Sequence, residues 1–551
     1  MGFYINSTSA YGLYRDETEA AYFVDKTDIL NELIPIVESK KSSLDEKGRS
    51  QKYVCITRPR RFGKTVMANM IASYFGKGVD SRTVFDGLSV SDNSRYLEHL
   101  NRHNVIHIMF NEMPDDCSSY SDYIGRIRDI LMDDIQSAYP DVRIREKDAL
   151  WDALRKVYEY ANGERFIFVL DEWDYIYHQD FVTDDDKRSF TGFLSNLLKD
   201  KAYVEMAYMT GILPIAKYSS GSELNMFCEY TMVTEEKYSG SFGFTESEVD
   251  KLYERYCVRN PERRNVSREG LREWYNGYHT KSGERVYNPR SVVLALENNN
   301  IGNYWTSSGP YDELFYYIGA NVDEVKSDVA MLLSGIPVKA NVREYAATSL
   351  ELKTRDEIFS AMVVYGFLNY ENGCVSIPNK ELMEKFSQMA EKEKSLGNVY
   401  RLVSLSEKML MATKRGDTKT MEEILQFAHD TESPLKYYND EEELASIINL
   451  VYLKARDYYR IEREDKAGLG YVDFIFYPYN KADDAIILEL KVDHSPEEAI
   501  QQIKDKKYYL RFAGKLGEKK EYTGRVLAVG ISYSKKDVGK KHECRVDVID
   551  K

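Results

Sequence analysis

The sequence feature that most constrains the fold is the stretch R-P-R-R-F-G-K-T at residues 58–65, which directly follows a short apolar run. Gly63, Lys64 and Thr65 match the end of the phosphate-binding pattern G-x-x-x-x-G-K-[ST]. In such a loop, backbone N–H groups at a helix N-terminus surround the phosphates, the lysine reaches the β and γ oxygens, and the hydroxyl holds Mg²⁺. Arg58 occupies the position of the first glycine, and a positive φ there would cost about 1–3 kcal/mol. The stretch predicts either a nucleotide site between a strand and a helix or an ordinary basic turn.

A second motif, about a hundred residues later, favours the nucleotide site. Residues 166–170 are consecutively apolar, as in a buried strand, and Asp171 and Glu172 follow directly. At the end of such a strand an aspartate holds Mg²⁺, and the next glutamate, the predicted catalytic residue, polarises the attacking water. Thr210 ends the next apolar run, where it either senses the γ-phosphate or begins a turn. The predicted nucleotide-binding residues are Arg58, Pro59, Arg60, Arg61, Phe62, Gly63, Lys64, Thr65, Asp171 and Thr210; Thr65 and Asp171 also hold Mg²⁺, and Arg60 and Arg61 alternatively stay solvated.

Apolar runs and helical patterns alternate over residues 50–245, as in a parallel sheet with crossover helices. The predicted strands are 53–57, 105–110, 166–170 and 204–209, and the predicted helices include 64–75, 120–138 and 186–200. Beyond this region the pattern is mostly helical, beginning with a capping box at Thr245 and Glu248. A helix followed by a hairpin over 366–377 is typical of a winged-helix element, and the polar stretch 379–430 predicts a helical connector.

Several motifs in the first 300 residues together resemble one family. They are V-D-K-T at 24–27, the loop at 58–65, L-D-E-W-D at 170–174, T-G at 210–211, G-F-T-E at 243–246, W-Y-N-G-Y at 274–278 and Y-N-P at 287–289. In this order they resemble the predicted AAA-ATPase-like family of bacterial proteins, in which the loop usually starts with arginine. The resemblance implies ATP as the ligand and a nucleotide-dependent switch more than a processive motor.

A second group of charged residues lies near the C-terminus. Asp473 falls within an apolar run, and Glu489 and Lys491 close another run sixteen residues later. Residues two apart on a strand point to the same face, and charges within an apolar strand are costly unless they bind something. Two carboxylates can hold Mg²⁺, and a neighbouring ammonium can orient the water or offset phosphate charge. The alternative is a surface strand that carries an ion pair between Glu489 and Lys491.

This spacing resembles the PD-(D/E)xK nuclease superfamily, although Val472 stands where the proline of that motif would be. The predicted order is helix 441–458, strands 470–477 and 485–492, helix 496–510 and strand 525–532. The resemblance implies that Gln502 lines the site on the second helix and that a glutamate of the first helix joins the metal. The candidates for that glutamate are Glu441 and Glu443 within the acidic run 441–443. Lys491 and Gln502 are the predicted catalytic residues, and Asp473 and Glu489 the predicted metal ligands.

Charge and composition narrow the partners. A formal charge of −15 argues against coating nucleic acid through bulk charge. Residues 501–551 nevertheless carry 14 Lys and Arg against 7 Asp and Glu. Lysines there form either a phosphate-backbone surface or a solvated face: Lys504, Lys506, Lys507, Lys535, Lys536, Lys540 and Lys541. Six scattered cysteines, no signal-peptide pattern and no apolar stretch near about 18 residues predict a cytoplasmic protein without a membrane span.

Taken together, the sequence predicts an α/β protein: a P-loop NTPase parallel sheet, a helical and winged-helix-like annex, and a C-terminal α/β restriction-endonuclease-like domain. The predicted parts are an ATPase domain (1–245), a helical annex or lid (246–350), a winged-helix-like element with connector (351–430) and a nuclease-like domain (431–551). We expect ATP and Mg²⁺ as cofactors, DNA or RNA at the C-terminal domain, and leave a homo-oligomer open. The expected function is an ATPase coupled to a Mg²⁺-dependent nuclease, in defence or mobile-element control. The alternatives are a non-catalytic nucleotide switch whose C-terminal fold only binds DNA or a protein, and an NTPase whose helical middle recruits a protein client.

Overall fold

The computed structural model describes most of the 551-residue chain. The described residues are 2–38, 52–215, 223–233, 235–305, 318–319, 322–342, 354–430, 441–467, 470–513, 522–535 and 541–549. Among the side chains that lie outside the description are those of residues 441–443. Within the described ranges, every helix is too short or too polar to cross a membrane.

The N-terminal region is built on a parallel five-stranded sheet in the order β2-β3-β4-β1-β5. Its strands are β1 Tyr53–Thr57, β2 Asn104–Met109, β3 Phe166–Asp171, β4 Val204–Gly211 and β5 Cys228–Thr231. Its helices are α1 Ser9–Thr18, α2 Ile29–Glu38, α3 Lys64–Phe75, α4 Arg82–Phe85, α5 Tyr96–His99, α6 Tyr120–Ala138, α7 Leu150–Tyr160 and α8 Asp184–Leu198. Helices α1 to α3 cover one face and α6 to α8 the other, which is why the strands are apolar throughout. The four predicted strands and the parallel sheet are confirmed, and β5 is a strand that the sequence did not predict.

The middle of the chain is mostly helical. Its helices are α9 Glu246–Arg259, α10 Arg268–Tyr275, α11 Pro289–Glu297, α12 Val322–Leu333, α13 Arg355–Tyr365, α14 Lys380–Ala390, α15 Asn398–Arg415 and α16 Thr418–Asp430. Its short strands are β6 Tyr278–His279, β7 Arg285–Val286, β8 Val338–Lys339, β9 Asn369–Glu371 and β10 Cys374–Ser376. The capping box at the start of α9 is confirmed, because Thr245 N donates to Glu248 Oε2 at 2.8 Å and Glu248 N donates to Thr245 Oγ1 at 3.3 Å.

The predicted hairpin is present, and the helix before it is buried. Strands β9 and β10 pair antiparallel around Asn372 and Gly373, whose φ values of 51° and 82° suit a tight hairpin turn. Strand β8 pairs with β10, which completes a small three-stranded sheet next to α13. Gly366 ends α13 with a φ of 86°, and a Cβ atom there would lie only 2.7 Å from Pro59 Cβ. The end of α13 therefore lies directly against the 58–65 loop.

The C-terminal region is a mixed five-stranded sheet in the order β11-β12-β13-β14-β15. Its elements are α17 Glu441–Val451, β11 Tyr459–Ala467, β12 Gly470–Pro478, β13 Ala485–Val492, α18 Pro496–Asp505, β14 Val526–Tyr533 and β15 His542–Ile549. Only β13 and β14 pair in parallel, and α18 connects them. The sequence predicted β12, β13, α18 and β14 but missed β11 and β15, and the two predicted helices end earlier than expected.

The helices over residues 379–430 do more than connect. Side chains of α15, α16 and α17 pack on one face of the C-terminal sheet, against residues such as Phe474, Leu488 and Val529, while α18 covers the other face. The same apolar cluster continues through α13 and α14 to Phe62 of the 58–65 loop. The middle of the chain thus extends the core of the C-terminal sheet to the 58–65 loop and to Leu213 and Met232, just after β4 and β5, which the polar composition of residues 379–430 did not reveal.

Candidate functional sites

The 58–65 loop has the backbone of a phosphate cradle. It lies between β1 and the first turn of α3, where Gly63 has a φ of 85°. Lys64 Nζ donates to the carbonyl oxygens of Arg58 and Pro59, each at 3.0 Å, so the lysine reaches back across the loop. The positive φ among the arginines falls on Arg61, at 69°, and not on Arg58. A strained conformation at a non-glycine residue is typical of ligand-binding loops and costs about 1–3 kcal/mol.

The residues of the 58–65 loop line two separate cavities. A cavity of about 980 Å³ is lined by Arg60, Arg61, Phe62, Gly63, Lys64 and Thr65. Arg58 and Pro59 instead line a separate cavity of about 810 Å³ on the other side of the loop. The buried Arg58 guanidinium donates to the carbonyl oxygens of Tyr230 at 2.7 Å and Tyr238 at 3.3 Å. The structure therefore places the Arg58 side chain in an anchoring position, away from the cavity that residues 60–65 line.

Of the acids at the end of β3, Glu172 and Asp174 line this cavity, whereas Asp171 and Thr210 are fully buried and do not line it. Asp171 is fully buried, and its Oδ1 accepts a hydrogen bond from the Thr210 hydroxyl. Asp171 Oδ2 is also buried and accepts no hydrogen bond from the described residues. Thr210 thus positions Asp171, which is a third role beside the γ-phosphate sensor and the turn residue considered from sequence. A buried carboxylate oxygen without a donor among the described residues, near enough to Lys64 to act on its charge, fits an Mg²⁺ ion or its water shell.

Glu172 reaches the cavity through an unusual backbone. Its φ is 53°, and its side chain lines the cavity together with Lys64. Burial, followed by the charge of Asp171, raises the pKa of Glu172, whereas burial lowers the pKa of Lys64 and the nearby carboxylates counteract that effect. Asp174 accepts hydrogen bonds from the N–H groups of Ile212 at 3.0 Å and Leu213 at 2.8 Å, which fixes the end of β3 against the end of β4.

Sequence reasoning missed the walls of the cavity. Tyr14 and Glu17 of α1 line the cavity together with Arg290 and Glu297 of α11. Burial and the charge of Glu297 raise the pKa of Glu17, and Arg290 counteracts them. The motif Y-N-P at 287–289 lies at the start of α11. No sequence pattern near it indicates that this helix faces the loop at 58–65. Arg290 is a further cation within the same cavity.

The predicted C-terminal site is assembled by the pairing of β12 with β13. Asp473 Oδ2 accepts from Leu490 N at 2.7 Å, which holds Asp473 beside β13. Glu489 Oε1 accepts from Lys491 Nζ at 3.3 Å and from the Gln502 side-chain amide. Glu489 is 3% exposed, and burial together with the charge of Asp473 raises its pKa to about 8. The structure thus brings four of the predicted residues together.

One oxygen of this site is suited to a metal. Glu489 Oε2 is buried and accepts no hydrogen bond from the described residues, although Asp473 lies close enough to raise the pKa of Glu489. A divalent cation between the two acids would offset that repulsion. Tyr508, which the sequence did not single out, donates from its hydroxyl to Tyr471 O and lies beside Gln502, Glu489 and Asp473. It is buried behind Gln502 and completes the wall of the site.

The structure describes the backbone but not the side chains of the predicted glutamates at the start of α17, and only some of the predicted C-terminal lysines. Helix α17 begins at Glu441, but the side chains of Glu441 and Glu443 lie outside the described residues. Among the lysines, Lys504 pairs with Asp547 at 3.0 Å and Lys541 with Glu543 at 3.7 Å. Lys506, Lys507 and Lys535 are exposed, and Lys536 and Lys540 lie outside the described residues.

These two regions define the class of the protein. A parallel sheet with a phosphate loop after β1 and an acidic pair after β3 is a P-loop ATPase fold, and the mixed sheet with acids on β12 and β13 is a restriction-endonuclease-like fold. Family comparison agrees. The model described as "Predicted AAA-ATPase" matches residues 15–220, and the model of the PD-(D/E)XK nuclease superfamily matches residues 439–543. The chain therefore combines a predicted AAA-ATPase domain with a PD-(D/E)XK nuclease-superfamily domain.

Individual relatives are distant. An "Uncharacterized protein in vnfD 5'region" of Azotobacter chroococcum mcd 1 is 29% identical over 297 residues, which are 53% of this chain. The chain spans about half, 52%, of the length of that relative. A Walker-type ATPase of Pyrococcus abyssi is similar in structure over 66% of this chain and 95% of its own, with 11% identity and a TM-score of 0.37. The ORC2 protein of Aeropyrum pernix, in ADPNP and ADP complexes, is similar over 68% and 93%, with 12% identity and a TM-score of 0.29.

Proposed function

We propose that this protein binds and hydrolyses ATP at the cavity beside the 58–65 loop and uses that site to control Mg²⁺-dependent cleavage of nucleic acid by the C-terminal domain. The observation that carries the proposal is that one chain holds two sites of similar composition, which a continuous apolar cluster connects. Each site has a lysine, two acids and a buried carboxylate oxygen that accepts no hydrogen bond within the described part of the chain. A continuous apolar cluster runs between them.

At the first site, the chain's own residues divide the work. The N–H groups at the start of α3 and the ammonium of Lys64 bind the β and γ phosphates, and Arg60 and Arg290 add positive charge within the cavity. Thr65 and Asp171 are the residues that would hold Mg²⁺, which supplies charge neutralisation to the phosphates when bound. Glu172 orients and deprotonates the attacking water, a role to which its raised pKa is suited.

At the second site, Asp473 and Glu489 would hold the ion, which supplies Lewis acidity and an activated water when bound. Lys491 orients that water or offsets charge on the phosphate, and Gln502 fixes the orientation of Glu489. Nucleic acid approaches the face that carries α18, where Lys506 and Lys507 are exposed. The winged-helix-like element is an unsuitable docking surface, because α13 is buried along most of its length.

A path of direct contacts leads from the 58–65 loop to the start of the loop after β12 in the nuclease-like sheet. Arg61 donates to the carbonyl oxygens of Tyr304, at 2.7 Å, and Trp305. The N–H groups of Tyr304 and Trp305 each donate to Glu381 Oε1 at 2.6 Å, and this buried carboxyl has a pKa raised by burial to about 7.

The adjacent Lys380 continues the path to the nuclease-like domain. It donates to the hydroxyl of Tyr479, which directly follows β12, and its ammonium lies 5.2 Å from the Trp274 ring centroid. Movement of Arg61 on nucleotide exchange would therefore reach the strand that carries Asp473. A nuclease under such control suits defence or mobile-element control, and we include that role in the proposal.

The proposal is tested with the full chain and three substrates: plasmid, single-stranded DNA and RNA. Each is incubated with and without ATP and Mg²⁺. We expect cleavage that requires Mg²⁺ and changes with ATP. The variant Lys380→Met should keep ATP turnover and basal cleavage but reduce the ATP effect, whereas Lys408→Met, at an exposed lysine of α15, should behave as the parent. A parent that binds ATP yet cuts none of the substrates would favour a non-catalytic nucleotide switch.

A further inference from the structure

A chain of four side chains on the ATPase domain belongs to neither candidate site. His99 Nε2 lies 2.8 Å from Glu38 Oε1, His99 Nδ1 lies 3.0 Å from His103 Nε2, and His103 Nδ1 lies 3.1 Å from Glu205 Oε2. The two imidazole rings are nearly parallel, at 8°. None of the four side chains lines the ATP cavity. We refer to Glu38, His99, His103 and Glu205 as the histidine chain.

With both imidazoles neutral, the histidine chain has one hydrogen too few for its three contacts. Each of its three contacts joins two atoms that can both accept, so each needs a hydrogen between them, but two neutral imidazoles supply only two. If His99 donates from Nε2 to Glu38, then His103 must donate from Nε2 to His99. The lone pair of His103 Nδ1 then faces the carboxylate of Glu205, which is unfavourable for two partly buried groups. Neutral rings therefore leave one contact unsatisfied.

A cation at His99 Nε2 resolves the conflict. His99 then donates from Nδ1 to His103 Nε2, and His103 donates from Nδ1 to Glu205. This is the arrangement in which a metal-bound histidine is oriented by a second ring and a carboxylate behind it. Glu98 adds another oxygen, because ligand atoms of Glu38, Glu98 and His99 all lie within 4.8 Å of one another, while the second oxygen of Glu38 pairs with Arg95.

We propose that Glu38, Glu98 and His99 bind one divalent transition-metal ion of the Zn²⁺ class, with His103 and Glu205 as positioning residues. An imidazole nitrogen beside carboxylates suits Zn²⁺, Co²⁺ or Ni²⁺, whereas Mg²⁺ prefers oxygen ligands and retains its water. Glu98 is exposed within the described part of the chain, so water can supply further ligands beside it. The ion would connect the end of α2 to α5 and, through His103 and Glu205, to the start of β4. This role is separate from that of Mg²⁺ at either candidate site.

The test uses the full chain, stripped of metal and then held in excess Mg²⁺ so that the oxygen-ligand sites are filled. Co²⁺ is titrated while its visible absorption is recorded, and Zn²⁺ is then added in competition. We expect one Co²⁺ per chain, displaced by Zn²⁺. His99→Gln should weaken binding about 100-fold, and Glu98→Gln about 10-fold. Glu205→Gln should shift the absorption band and weaken binding about 10-fold while one site remains.

A matched control is available in the C-terminal domain. His494 lies 3.0 Å from Glu498 on the surface, and the described residues supply no third ligand there, so His494→Gln should bind Co²⁺ as the parent does. Circular dichroism checks that each variant is folded. An unchanged affinity in folded His99→Gln would overturn the proposal, as would a thiolate charge-transfer band in the parent. A parent without a cobalt spectrum would also overturn it, and would indicate that a shared extra proton supplies the missing hydrogen.

Discussion

The two candidate sites use the same kinds of side chain but assemble them differently. In the ATPase domain, the acids are consecutive, and the positive φ of Glu172 turns the second acid toward the cavity after Asp171 has turned inward. In the C-terminal domain, Asp473 and Glu489 come from neighbouring strands, and sheet pairing brings them together. One site therefore depends on local backbone conformation and the other on strand register. The two should fail in different ways when a residue is changed.

The largest effect is expected at the register-dependent site. Asp473→Ala or Glu489→Ala removes one of two carboxylate ligands and should lower Mg²⁺-dependent cleavage roughly 1000-fold, the equivalent of about 4 kcal/mol. ATP binding should stay at the parental level, because the proposed ATP cavity lies beside the N-terminal sheet. Lys491→Ala should slow cleavage while Mg²⁺ affinity is kept. Cleavage and nucleotide binding are measured across Mg²⁺ and Mn²⁺ titrations, and parental cleavage by either alanine variant would show that another site does the cutting.

Lys64→Ala provides the reciprocal test at the local site. It removes a buried charge that we propose to face the phosphates, so ATP affinity should fall on the order of 300-fold, a little over 3 kcal/mol. Basal cleavage without ATP should persist. Fluorescent-nucleotide binding measures the effect, and Lys77→Ala, at a partly exposed lysine after α3, is the control. Unchanged ATP turnover in the Lys64 variant would exclude this cavity as the ATP site.

Glu172→Gln separates binding from hydrolysis. The glutamine keeps the size of the side chain but cannot accept a proton, so turnover should fall about 100-fold while ATP affinity is retained. Thr210→Val, which removes the hydroxyl bound to Asp171, should have a smaller effect and weaken Mg²⁺-ATP binding. Single-turnover hydrolysis and equilibrium binding are compared. If Glu172→Gln hydrolyses ATP at the parental rate, another group activates the water.

The smallest effect concerns pH. Because the pKa of Glu489 is raised to about 8, metal binding there should strengthen as pH rises from 6.5 to 8, by up to about 10-fold per unit. Without metal, the folded state holds this proton more tightly than the unfolded state does. The corresponding stability is therefore present below the ordinary pKa of 4.5 and is lost as pH rises through 8. Thermal unfolding of metal-free parent and Glu489→Gln measures this, and equal pH dependence in both would contradict the assignment.

Sequence patterns predicted the parts of the fold that depend on neighbouring residues. The loop at 58–65, the strand before Asp171, the capping box at Thr245 and the hairpin at Asn372 are local, and the structure contains all four. The pairing of Asp473 with Glu489 was also anticipated, because the spacing of acids on two apolar strands limits how these can meet. The division of the chain at residues 245, 350 and 430 stays a prediction.

Other features depend on distant partners or on weak patterns. The direction of the Arg58 side chain is decided by carbonyl groups of Tyr230 and Tyr238, which lie 172 and 180 residues away in the chain. Edge strand β11 was missed because its sequence is largely charged, so it lacks an apolar run. Arg290 was missed since only the folding of α11 over the loop brings it to the cavity.

The contact between Gly366 and Pro59 has a mechanical consequence. Two independent requirements meet at Gly366, a φ of 86° and the absence of space for a single carbon atom. The ring of Pro59 is stiff and cannot move aside without turning the loop that follows it. The contact leaves no free space between the loop and the end of α13. A displacement of the loop by a fraction of an ångström must therefore displace the end of α13 as well.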